Sequence, residues 1–278
     1  MIRVGRHGVA LVGVLVIVVS AVLAALAPAL APADPIRNDL LSRLTPPMWM
    51  DGGTGRHPLG TDTLGRDVVS RLLYGARVSL LVGFAAVLVA GVVGVVLGLV
   101  AGYYGGRLDD LLMRLGDVQL AFPVLVLAIA VLSVLGASLG NVIVVLGLTG
   151  WVTYARIARA ETLTLRRADY IAAVQLMGGS PWRIVWRHIM PLCVSSVIVR
   201  VTLDMAGIII TAAGLGFLGL GAQPPMPEWG AMIANGRLYV LDQWWVAAAP
   251  GAAIFVVSLA FNLLGDGLRD ALDPKAAK

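Results

Sequence analysis

"VQLAFPVLVLAIAVLSVLGASLGNVIVVLGLTGWVTYA", residues 118 to 155, is a run of 38 residues without a charge. As one helix it would be about 57 Å long at ~1.5 Å per residue, well beyond the hydrocarbon layer of ~30 Å that about 20 helical residues cross. It must therefore fold back, and "GASLGN" at 136 to 141 carries the turn-forming residues to do so. A third span is predicted from about Leu120 to Leu135 and a fourth from about Val142 to Ala155, with its helix reaching about 158.

Working towards the N-terminus, "GGRLDDLLMRLGD" reads as a short charged turn, and the chargeless stretch between Arg77 and Arg107 as the second span, about 78 to 103. Residues 32 to 75 are polar and hold Pro32, Pro35, Pro46, Pro47 and Pro58, with Gly60 and Gly65 as further punctuation. Val68, Leu72 and Leu73 share one helical face, so this external loop is expected to end in a short amphipathic helix. Arg3 and Arg6 precede an uncharged run from Val9 to Ala27, the first span, within residues 1 to 31. "ALAPALAPA" also suits a signal-peptide cleavage site, but the apolar run exceeds the ~7 to 15 residues of such a core, which favours a retained helix.

Towards the C-terminus, a fifth span of about 192 to 218 carries Arg200 and Asp204 at i,i+4 spacing, on one face where they can pair. An ionisable pair at this depth is a candidate pathway site; the alternative is an arginine that snorkels to the headgroups. The external loop that follows holds Glu228 and Trp229, with Glu228 after Pro227 suiting a short helix start. A sixth span at about 246 to 264 precedes the charged tail. The fold class is thus an all-α integral membrane protein of about six spans, which agrees with 59% hydrophobic and 13% charged residues, against ~25% charged in ordinary domains.

Composition also removes functions. Lys275 and Lys278 are the only lysines and neither follows a glycine, so no P-loop is encoded and the chain is not expected to be an ATPase. The formal charge of +5 is spread over loops between apolar spans, as the positive-inside rule gives, rather than as a nucleic-acid patch. Cys193 is the single cysteine, and His7, His57 and His188 lack ligand spacing, so no disulfide or metal site is expected. No paired acids or His with a nucleophile lie in the spans, so no catalytic residue is assigned. Six spans leave both termini on one side. Arg156, Arg159, Arg166, Arg167, Arg183 and Arg187, with Arg3 and Arg6, mark that side as cytoplasmic, although the first external loop holds six arginines counting Arg77.

Residues 166 to 191, between spans four and five, hold "ADYIAAVQLMGGSPWRIVWRHIMP". A first helix of about Ala168 to Met177 is predicted to close at Gly178 and Gly179. Ser180 then caps a second helix with Pro181 at its first position. In it Trp182, Val185, Trp186 and Ile189 form one apolar stripe while Arg183 and Arg187 point elsewhere. Such a hairpin suits either a headgroup-level helix or a knob that docks on another protein.

The segment resembles the cytoplasmic EAA loop of ABC importer permeases. Ala173, Gly178 and Pro191 match its alanine, glycine and proline in register, whereas Ala172, Val174 and Met190 replace the usual Glu, Ala and Leu. Residues 57 to 80, 217 to 237 and 261 to 274 are similar to the C-type permease of dipeptide, oligopeptide and nickel importers, so the resemblance covers essentially the whole chain. It implies a bacterial inner-membrane permease forming half of a pathway with a B-type sister permease, two ATP-binding subunits that use ATP and Mg, and an extracytoplasmic binding protein. It implies ATPase coupling through Ala172, Ala173, Gly178, Gly179, Ser180 and Arg183, with peptides as the cargo and nickel or a metal chelate as the alternative. A stand-alone ion-coupled transporter, using Arg200 and Asp204, is the competitor from another class.

Overall fold

The computed structural model describes residues 2–272, with side chains from residue 8 onward; the side chains of Arg3 and Arg6, and Lys275 and Lys278, lie outside the described residues. The helices are α1 (Ile2–Ala25), α2 (Ala27–Leu30), α3 (Val68–Tyr104), α4 (Gly106–Leu120), α5 (Val124–Leu135), α6 (Leu139–Leu165), α7 (Asp169–Leu176), α8 (Pro181–Arg183), α9 (Met190–Phe217), α10 (Trp229–Gly236) and α11 (Trp245–Leu272). Among the described residues five helical rods are long and apolar enough to cross a membrane, or six if the bent pair α4 and α5 counts as one.

The centre of the bundle is the crossing of α3 with α6. Gly94, Gly98 and Gly102 recur every four residues on one face of α3, and the backbones approach so closely that a Cβ at Gly94 would stand 2.3 Å from the Trp151 carbonyl oxygen. A Cβ at Gly98 would stand 2.3 Å from the Ala155 oxygen. Small residues at this spacing are how spans pack when lipid offers no hydrophobic driving force between helices. On another face α3 meets Met205 and Ile209 of α9, and α11 lies against α9 and α1. α1 is seated on α11 where Gly13 and Gly267 allow contact, while Leu11 and Leu15 remain exposed as a lipid-facing surface requires.

Several boundaries differ from the sequence expectation. The short amphipathic helix before the second span is the first two turns of α3 itself. Asp67 caps it by accepting from Ser70 N–H at 2.7 Å, and nothing between Val68 and Arg77 breaks it. The "charged turn" is the helix α4, because its acids have partners along α6: Asp109 pairs with Arg159, and Asp117 with Arg156. The third span does not begin at Leu120. Pro123 precedes a bend of 91° between α4 and α5, and the 12 residues of α5 cover only about 18 Å. α6 starts at Leu139, with Ser138 accepting from Asn141 N–H, and continues to Leu165. α11 likewise runs past the expected end at 264 to Leu272.

The loop before α3 is compact rather than merely polar. Arg66 bonds Asp62 at 2.8 Å, Arg71 donates to the Pro35 carbonyl at 2.9 Å, and His57 contacts Asp67 at 3.0 Å, all five charged groups being buried. Trp245 Nε1 donates to the Thr61 carbonyl at 3.2 Å, which ties this cap to the start of α11.

Candidate functional site

The hairpin between α6 and α9 is built from a short stop signal. Gly178 takes φ +79°, its N–H donates to Gln175 O at 3.0 Å, and the Gly179 N–H reaches back to Val174 O at 2.9 Å. This pair of bonds closes α7 on its own carbonyls, and only glycine takes the left-handed position without strain. Ser180 Oγ accepts from the Arg183 N–H at 3.4 Å and Pro181 opens α8. The expected start at Ala168 is the cap residue of α7.

The second arm is not separate from the fifth span. Pro181–Phe217 is one rod of 37 residues, interrupted by a π-helical turn at Ile184–Ile189. Pro191 has no N–H for the Arg187 carbonyl and its ring would collide with it in a regular helix. A wider turn absorbs that mismatch, and the Met190 N–H donates to Val185 O instead. One inserted residue rotates the arm by about 100° relative to the span. The apolar stripe is shifted accordingly: Ile184, Val185 and Ile189 are buried, but Trp182 is 71% exposed.

Base and tip thus differ in character. At the base Ile171, Ile184, Ile189 and Cys193 pack with Leu99 of α3 and Ala158 of α6, so the hairpin is fixed to the bundle centre. At the tip Leu176 and Met177 are 89% and 79% exposed beside Trp182, whose ring lies 5.1 Å from that of Trp186. Ala172, Ala173, Gly178, Ser180 and Arg183 are exposed on the same hairpin and Gly179 is half-buried. The sequence reading singled out the turn and missed Leu176, Met177 and Trp182. Large apolar residues flanking a glycine pair were the available signal.

The other candidates stand elsewhere. Arg200 and Asp204 do pair, through Nε to Oδ2 at 2.9 Å and Nη2 to Oδ1 at 2.6 Å, with side chains 37% and 19% exposed. They lie one to two turns beyond the hairpin base along α9. Glu228 and Trp229 sit at the opposite end. Glu228 caps α10 by accepting from Gly230 N–H at 2.7 Å and Ala231 N–H at 2.9 Å. Burial raises its carboxyl above the ordinary range, against the lowering effect of those two bonds. Trp229 Nε1 donates to Leu72 O at 3.1 Å over Gly75, so both residues clamp α10 onto α3 and α9. The three groups form no single site: one projects, one lies within the span and one braces the far loop.

Residues 94–278 match the family described as the binding-protein-dependent transport system inner membrane component. The chain is 47% identical over 84% of its length to 77% of a di/tripeptide transport system permease of Pseudomonas aeruginosa. It is 46% identical over 87% of its length to 80% of a probable D,D-dipeptide transport system permease of Escherichia coli. To a glutathione transport system permease of Pectobacterium atrosepticum it is 50% identical, over 81% of this chain and 75% of that one. A bundle of apolar rods with a hairpin projecting from one end, matched over these lengths, places the chain in a family: it belongs to the inner membrane components of binding-protein-dependent transport systems.

Proposed function

We propose that this chain is the C-type permease of an ATP-driven importer of short peptides, paired with a sister permease, two ATP-binding subunits and an extracytoplasmic binding protein. The cargo reading rests on relatives named for di/tripeptide, D,D-dipeptide and glutathione transport, and these names favour peptides over a nickel chelate. The observation that carries the mechanism is the hairpin, whose apolar tip is exposed and whose base is welded to α3, α6 and α9. The tip seats on an ATPase subunit, where ATP and magnesium are used. Because the second arm continues into α9, a displacement of the tip is passed directly to a membrane span. In this assignment the hairpin end and both termini are cytoplasmic, and the cap with Glu228 and Trp229 faces the binding protein.

Alternating access in this reading needs ATP to bias two arrangements of the spans, and moving a population from 1:99 to 99:1 takes about 5.5 kcal/mol of differential binding. Ala172, where the resembling loop has glutamate, leaves apolar contact and Arg183 to hold the docked state. The stand-alone ion-coupled reading built on Arg200 and Asp204 is set aside by membership of the family. The test is isolation of the tagged chain from its native membrane in mild detergent, followed by reconstitution and peptide uptake. Recovery of a second permease with two P-loop subunits and ATP-dependent uptake is the expected result; recovery of the chain alone, with uptake independent of ATP, contradicts the proposal.

A further inference from the structure

Near the hairpin end of the bundle, α6, α9 and α11 enclose a cavity of about 370 Å³ lined by Ile157, Ser195, Ser196, Val199, Arg200, Leu203, Arg269 and Leu272. Two guanidinium groups and two hydroxyls face one opening, on otherwise apolar walls. Asp204 engages the Nε and one terminal nitrogen of Arg200. A guanidinium has five N–H donors, so Arg200 keeps donors for another acceptor while Asp204 fixes its direction. Arg269 is exposed and makes no ion pair among the described residues, and Asp266 and Asp270 of the same helix do not line the cavity.

The face of α9 that leads from this cavity is unlike the lipid-facing sides of the protein. Ser196, Arg200, Gly207, Thr211 and Gly214 fall within a narrow arc at the helical repeat, and a Cβ at Gly207 would meet nothing within 4 Å. α1 instead exposes Leu11, Val12, Leu15 and Val18. A polar, unfilled face that ends at two arginines is suited to a passing solute rather than to acyl chains. We propose that this cavity receives the C-terminal carboxylate of the peptide in transit, with Arg269 as the accessible cation and Arg200 held in place by Asp204; this rests on the peptide-importer reading. Charge-assisted hydrogen bonds from arginine match a carboxylate, and few contacts keep the hold weak enough for release.

The experiment uses the reconstituted complete importer and compares uptake of a dipeptide with that of its C-terminally amidated form, for the wild type, Arg269→Gln and Arg269→Lys. The binding protein is the same throughout, so its own preference cancels when acid-to-amide ratios are compared between variants. Arg269→Gln is expected to lower the ratio by about tenfold, the scale of one charge-assisted bond, and Arg269→Lys to restore most of it. An unchanged ratio with uptake intact overturns the carboxylate site while leaving the peptide reading standing. Absence of ATP-driven uptake of either peptide by the wild type sinks the peptide reading itself. An unchanged ratio accompanied by loss of co-purifying anionic phospholipid in Arg269→Gln assigns the cavity to a lipid headgroup and also overturns the proposal.

Discussion

Glycines with the same side chain, none at all, hold very different duties here. At Gly94 an added methyl would press on the Trp151 carbonyl, whereas at Gly207 it would meet open space. Gly94→Ala is therefore expected to cost about 1–3 kcal/mol through overpacking, and Gly207→Ala to leave stability unreduced, as read by thermal unfolding in detergent. Gly178 is a third case. Its Cβ position is empty, but φ is +79°, so Gly178→Ala carries only a backbone penalty of about 1–2 kcal/mol. Faster amide exchange confined to residues 169–183 is the expected signature. Glu228 gives a pH prediction. Its folded-state pKa is raised by burial, so between the ordinary carboxylate value and that raised value the folded chain keeps a proton which the unfolded chain releases. Stability must then fall as pH rises through this window and level off above it. Thermal unfolding between pH 5 and 8 should show that slope in the wild type and lose it in Glu228→Gln.

Helices join and break where partners, rather than local composition, decide. The Gly-Gly-Ser-Pro turn at 178–181 was legible because each residue has one local duty: left-handed closure, cap and first-turn proline. The fold-back at 136–141 was legible for the same reason, with Gly136 at φ +86° and Ser138 as cap. α4 was not, because "RLDDLLMRLGD" turns into a packed helix only through Arg156 and Arg159, more than 35 residues away. The π turn was hidden likewise: Pro191 signals a mismatch, but not whether the helix ends, kinks or widens to absorb it. Its consequence is the outward Trp182. Replacing Leu176, Met177 and Trp182 together by serine removes surface that packs on nothing in this chain. Unfolding temperature of the isolated permease should stay within a degree or two while association with the ATPase subunits weakens.

At the scale of the whole molecule, charge and hydropathy were enough to give an all-helical membrane bundle, and resemblance in three segments pointed to the family to which the chain belongs. What the sequence could not supply was the division of labour among the singled-out residues. Glu228 and Trp229, equal candidates with the rest, turn out to brace α10 against α3 and α9, and the Arg200–Asp204 pair opens on a cavity formed by residues from three helices. The central claim is that the hairpin carries force from an ATPase to α9. It is tested most directly by reconstituting the complete importer with the Leu176→Ser, Met177→Ser, Trp182→Ser variant and measuring peptide uptake and ATP hydrolysis in the same vesicles. Uptake reduced at least tenfold, with hydrolysis no longer stimulated by peptide-loaded binding protein and the permease pair still assembled, is the predicted result. Uptake and stimulated hydrolysis at wild-type levels would contradict it.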